Sequence, residues 1–202
     1  MRCLPILGAA VLAAGLLSAC GPSAPERVLS QPPAPAQTGA PQPLTQVDRP
    51  VDLVKFDSDP CGLLAKEQVA AVVADPPDDV RANRQSVPPA FGCSWTNHGG
   101  ALMSASKPIE SPKTLSELSD SPLKKDGKLE PWTETSIDGL PAVVYHVFEH
   151  TDECSVSVQV TDEQMLTFDI QGKDLPGSYW DKDRCGGVGK MAESVIGNLR
   201  QG

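Results

Sequence analysis

The residue types in this chain best equipped for chemistry are cysteine, histidine, and a few serines and glycines at motif spacing. Of six cysteines, Cys61, Cys93, Cys154 and Cys185 lie in the part of the chain able to build a core. Thiolates could ligate zinc, but no pair stands at the Cys-x-x-Cys spacing that structural zinc sites normally use. Disulfides are the better use of an even set, and bonded cysteines cannot act as thiol nucleophiles. Ser104-Ala105-Ser106-Lys107 has the Ser-x-x-Lys spacing of an acyl-transfer nucleophile. That chemistry needs the serine to open a helix, whereas Ser104 closes a strand-like run and Pro108 follows the lysine. Ser119-Asp120-Ser121 and Lys113-Thr114-Leu115 imitate the partner motifs, incompletely and in the wrong order. Gly186-Gly187-Val188-Gly189-Lys190-Met191 misplaces the first glycine of a phosphate loop and puts methionine where magnesium needs a hydroxyl. His146 and His150 on one strand would stand about 13 Å apart at roughly 3.3 Å per residue, too far to share a metal, and nothing in the pattern brings His98 to either. Asp75, Asp78 and Asp79 lack the glycine-turned spacing of a calcium loop. We therefore expect no catalytic residue, no metal and no cofactor, and a protein that is not an enzyme.

Where the chain works is set by its first residues. Leu4 to Leu16 form an apolar run of about 13 residues, short of the roughly 20 that span a bilayer as a helix, and small residues close it in the manner of a secretory signal. Leu17-Ser18-Ala19-Cys20 follows and resembles the lipobox of bacterial lipoproteins. That resemblance implies cleavage before Cys20 and acylation of its sulfur, with two or three chains giving stable attachment to a membrane. The reading is a signal over 1–19, a lipid-anchored linker over 20–56 and a folded domain over 57–202. The linker is crowded with proline, from Pro22 to Pro43, and has too little apolar surface to offset its ordering entropy. The net charge of -9 leaves no basic footprint for nucleic acid and repels anionic headgroups, so the acyl group is the expected membrane contact.

The domain must position its cysteines through its elements. Asp59-Pro60 reads as N-cap and first helical residue, and Leu64, Val69, Val72 and Val73 continue a short helix to Ala74. Asp78 to Pro89 is polar and reads as a loop. Strand-like runs follow at Phe91–Asn97 and Ala101–Ser106 around a His98-Gly99-Gly100 turn. Further runs span Thr133–Ile137, Ala142–Phe148, Cys154–Thr161 and Met165–Ile170, with a helix near Thr114–Ser119. Val188, Met191, Ala192, Val195, Ile196 and Leu199 recur at helical spacing after Asp183-Arg184-Cys185, which predicts a closing helix laid on a sheet. Helix, strands and helix without βαβ alternation indicate an α+β fold, an antiparallel sheet of about five strands with an N-terminal and a C-terminal helix. Four cysteines allow three connectivities. Since Cys61 and Cys185 each begin a helix and Cys93 and Cys154 each lie on a strand, the local pairing Cys61–Cys93 and Cys154–Cys185 is expected over Cys61–Cys185.

Taken together, the lipobox, the proline-rich tether, Asp59-Pro60-Cys61-x-Leu63-Leu64, Cys93-x-Trp95 and the two later cysteines resemble an actinobacterial family of secreted lipoproteins of unknown function. The resemblance implies a distant similarity to the disulfide-bonded extracellular sensor domains of actinobacterial Ser/Thr kinases; it carries no catalytic residues. The expected function is ligand or partner binding at the outer face of the cell membrane. The partner would be an unknown small ligand or an envelope protein, in a cleft between the sheet and the segments Asp78–Pro89 and Lys107–Pro131, with Tyr179 and Trp180 as ligand-cleft residues. The alternatives are an assembly subunit of an envelope complex and, less favoured, an envelope hydrolase.

Overall fold

In the computed structural model, the described residues are 44, 46–73, 76–86, 88–147, 153–172 and 179–201. Cys20, the linker prolines from Pro22 to Pro43, Phe148 and His150 lie outside them. The helices are α1 (Val54–Ser58), α2 (Lys66–Val73), α3 (Leu115–Asp120), α4 (Pro122–Lys125) and α5 (Arg184–Arg200). The strands are β1 (Arg81–Gln85), β2 (Ala90–Thr96), β3 (Leu102–Pro108), β4 (Thr133–Ile137), β5 (Leu140–Tyr145), β6 (Cys154–Thr161) and β7 (Gln164–Gln171). They form one antiparallel sheet in the order β1-β2-β3-β7-β6-β5-β4.

The fold is therefore α+β, but the sheet has seven strands where about five are expected from the sequence. β1 is the main addition, inside the stretch read as a loop. All of its residues are exposed, so no apolar alternation marks it; backbone pairing with β2, from Arg81 opposite Thr96 to Gln85 opposite Gly92, creates it. The opening helix is also divided. Asp59 caps a 3₁₀ turn over Pro60–Leu63, accepting from the Gly62 N–H at 3.1 Å. Leu64 is extended, and α2 starts afresh with the Ala65 N–H donating to Gln68 Oε1 at 2.9 Å.

Strand alternation sends two chemically different faces to the two sides of the sheet. On one side Val156 and Val158 of β6, Leu166, Phe168 and Ile170 of β7 and Met103 and Ala105 of β3 are buried with Val188, Met191, Val195 and Ile196 of α5. Val47, Val51 and Phe56 join the same core, so residues before Asp57 take part in the packing. On the other side Leu115 and Leu118 of α3 are buried with Leu129, Val143, Tyr145 and Met165 in a smaller cluster. Buried Gln159 of β6 ties α3 down by accepting from the Leu115 N–H at 2.7 Å.

The disulfides are Cys61–Cys93 and Cys154–Cys185, with Cα atoms 5.0 and 5.2 Å apart. Each ties a helical turn to a strand, and each closes a loop worth roughly 3 to 4 kcal/mol in the chain-entropy account. β4 and β5 are joined through Asp138 and Gly139, both at positive φ (50° and 75°), as a tight two-residue hairpin requires.

Gly92 of β2 faces the backbone of β3 so closely that a Cβ there would collide with the Ala105 carbonyl oxygen. We predict that Gly92→Ala destabilises the protein by about 2 to 3 kcal/mol, measured as a shift in urea midpoint. A change within about 0.5 kcal/mol, the usual effect of a surface substitution, would show that β2 and β3 are not this close.

Candidate functional site

The sheet face opposite α5 carries a band of polar side chains across its central strands, one end of it covered by α3. Alternation along β6 places Ser155, Ser157 and Gln159 there, and all three are buried. The same parity brings Thr167 and Asp169 from β7, Ser104 and Ser106 from β3 and Ser94 from β2 to that face. Register then sets them in rows. Ser94 is opposite Ser104, Ser104 opposite Asp169, and Asp169 opposite Ser155, so four strands contribute to one line. In the neighbouring line Ser106 is opposite Thr167 and Thr167 opposite Ser157.

Asp169 is the centre of the first row. The Ser155 hydroxyl donates to Oδ1 at 2.6 Å and the Ser104 hydroxyl to Oδ2 at 3.0 Å. Burial pushes its carboxyl above the usual carboxylate range; the two serine hydroxyls pull it back, and the charge of Glu153 adds to the rise. In the second row Ser157 lies 3.0 Å from both the Tyr145 phenol and the Thr167 hydroxyl. Burial holds the Tyr145 proton firmly, the negative charge of Asp169 reinforces this, and hydrogen bonds with Ser157 and Thr167 oppose it. Tyr145 stacks on Trp132 with ring centroids 5.9 Å apart, which closes the floor on the α3 side. Ser104, Ser106, Thr167 and Asp169 keep part of their surface exposed.

This arrangement is a hydrogen-bonding floor. Hydroxyl groups both donate and accept, and a carboxyl held between them can accept from a ligand or, when protonated, donate to one.

The residues singled out by motif are dispersed. Ser104 lies within β3, and Lys107, of opposite strand parity, pairs instead with Asp57. Gly186 belongs to the first turn of α5, where its N–H donates to Asp183 Oδ1 at 2.9 Å. His98 is exposed in the β2–β3 turn, and Asp78 and Asp79 are exposed in a 3₁₀ turn. His146 is half-buried, with Nε2 3.5 Å from Cys185 Sγ. Trp180 is half-buried and packs on the main core, its ring against the first turn of α5, where side chains at Gly186 and Gly187 would strike it. Tyr179 opens the 3₁₀ turn Tyr179–Lys182, but its side chain lies outside the described residues. Asp169 was missed by motif reading. The one signal available was a charged aspartate inside a strand whose alternate residues Leu166, Phe168 and Ile170 are apolar.

The model of a family described as a protein of unknown function (DUF3558) matches residues 15–198. No curated protein and no solved structure matches the chain.

Folding raises the Asp169 pKa, so the folded state binds that proton more tightly than the unfolded state. Its contribution to stability is complete below the ordinary carboxylate range and is lost as pH rises through that range to the raised pKa. Asp169→Asn, which keeps the side-chain shape, should therefore gain stability relative to the unsubstituted protein as pH rises from acid to neutral. The remaining carboxylates are common to both proteins and largely cancel in the difference. Melting temperatures measured across pH test this, and a difference that stays flat or runs the other way contradicts the raised pKa.

Proposed function

The chain belongs to the DUF3558 family, and from that premise we propose that it is a lipid-anchored extracytoplasmic binding protein whose ligand surface is the polar sheet face around Asp169. The two disulfides support the compartment, because such bonds form and persist where the environment is oxidising. No described helix is long and apolar enough to cross a membrane; the proposed anchor is the acyl group on Cys20. Binding without chemical conversion is part of the proposal, as is a sensor-like role.

The observation that carries the reading is the row Ser104, Asp169 and Ser155, a carboxyl held by one hydroxyl on each oxygen. A ligand matched to it offers several hydroxyls that both donate and accept. An anionic ligand would meet Asp169, Glu153 and a net charge of -9. A neutral saccharide, the chemistry of cell-wall glycans, fits this pattern best.

The test is binding of the full acylated chain, held in detergent, to an array of neutral and anionic saccharides. Neutral saccharides should be retained, and Asp169→Ala should weaken that retention about tenfold or more, the usual consequence of losing a hydrogen bond to a charged group. A preference for anionic saccharides would overturn the assignment of this face. So would neutral binding that Asp169→Ala leaves unchanged.

A further inference from the structure

His146, Cys154 and Cys185 bring one imidazole nitrogen and two sulfurs within 4.8 Å of one another. They come from three elements. Val144 pairs with Val156 and Tyr145 with Ser155, so the next residues along, His146 and Cys154, come level at the end of that ladder and on its helix-facing side. Cys185 approaches from the first turn of α5. Cys154 is fully buried, whereas His146 and Cys185 are half-buried, which leaves the cluster open to solvent on one side.

The spacing of the imidazole is informative. A tetrahedral zinc ion with Zn–S near 2.3 Å and Zn–N near 2.0 Å sets sulfur and nitrogen about 3.5 Å apart and its two sulfurs about 3.8 Å apart. Cys185 Sγ and His146 Nε2 already stand 3.5 Å apart. The two cysteine Cα atoms, 5.2 Å apart, allow the sulfurs to part by side-chain rotation once the bond between them is broken. The Cys-x-x-Cys spacing usual for such a site is absent here because the ligands converge from a strand end and a helix start.

We propose that reduction of the Cys154–Cys185 disulfide turns this corner into a zinc-class metal site, with Cys154, Cys185 and His146 as ligands and water in the fourth position. The reductant is a dithiol. Its thiolate attacks the sulfur of half-buried Cys185, the Cys154–Cys185 bond breaks, and Cys154 leaves as a thiolate and takes up a proton. The second thiol of the dithiol then displaces Cys185, and the dithiol ends as a disulfide, having lost two electrons. A divalent cation displaces the two thiol protons and takes the lone pair of His146 Nε2. Two thiolates neutralise a divalent ion, so a half-buried site of this composition carries no net charge, which limits the cost of its burial. Disulfide and metal are mutually exclusive occupants of the same two sulfurs, so the redox state selects between them.

The test uses the full chain carrying Cys61→Ser/Cys93→Ser, so that only the Cys154–Cys185 bond can be reduced, oxidised or reduced with a dithiol that is then removed without oxygen, and titrated with Cd²⁺ alone. The reduced protein should take up one Cd²⁺ with the near-ultraviolet absorption of cadmium–thiolate bonds, and the oxidised protein none. His146→Ala keeps both cysteines, and its reduced form should bind Cd²⁺ about tenfold or more weakly, at least the loss seen when a supporting partner of a metal ligand is removed. Cys154→Ser/Cys185→Ser should abolish the absorption. Equal affinity in His146→Ala, or absorption that survives in the double variant, would overturn the proposal. Far-ultraviolet circular dichroism covers loss of fold: a reduced chain that unfolds and regains no structure with Cd²⁺ also overturns it, and one that refolds supports it.

Discussion

The register between β3 and β7, at the middle of the sheet, is the constraint on which the rest of the structure depends. It sets Met103 against Ile170 and Ala105 against Phe168 on the side that packs under α5, and Ser104 against Asp169 on the other side. A slip of one residue would exchange these faces, driving Asp169 into the apolar core and stranding Phe168 and Ile170 outside it. The cost of burying an unpaired carboxyl and of exposing two large apolar side chains holds the register in place. The disulfides act in the same direction. Cys93 and Cys154 both sit on the helix-facing side of their strands, so neither can turn over without breaking a covalent link to a helical turn.

From that register the polar face follows as a consequence. The same β6 residues that alternate with valines, Ser155 and Ser157, meet the Asp169 carboxyl and Thr167 hydroxyl of β7 and the Tyr145 phenol of β5 instead of apolar partners. Deeply buried serines and a glutamine are tolerated because each has a hydrogen-bond partner, as buried polar groups require. Gln159 shows this economy at the covered end of the face, where its carbonyl holds the start of α3 and its amide N–H donates to the Thr161 carbonyl oxygen at 2.6 Å. Asp169 is the exception in cost: two hydroxyl donors do not fully offset its burial. Retaining such a group in a sheet has a functional rationale if the carboxyl meets a ligand.

How much of this could be read from residues alone differs by element. The closing helix was legible because six apolar residues at helical spacing all face the sheet, and Val188, Met191, Ala192, Val195, Ile196 and Leu199 are indeed buried. The disulfide pairing was legible because a cysteine at a helix start has a strand cysteine about 30 residues away as its nearest local partner. β1 was not, since an edge strand with every side chain in solvent carries no periodic mark. Asp169 was not, since its partners Ser104 and Ser155 lie 65 and 14 residues away, and only the strand order brings them to it. The sequence sets His146 near His150, whereas in space its ring lies against Cys185, 39 residues on.

The account's central claim, that the protein binds through the face around Asp169, is tested most directly by native mass spectrometry of the full chain extracted gently from the cells that make it. The account predicts a protein beginning at Cys20, carrying lipid and lacking the hydrogens of two disulfides. It also predicts a further discrete mass of neutral sugar composition that is lost on denaturation and absent from Asp169→Ala. A bare protein in both cases, or an extra mass that Asp169→Ala retains, would contradict it.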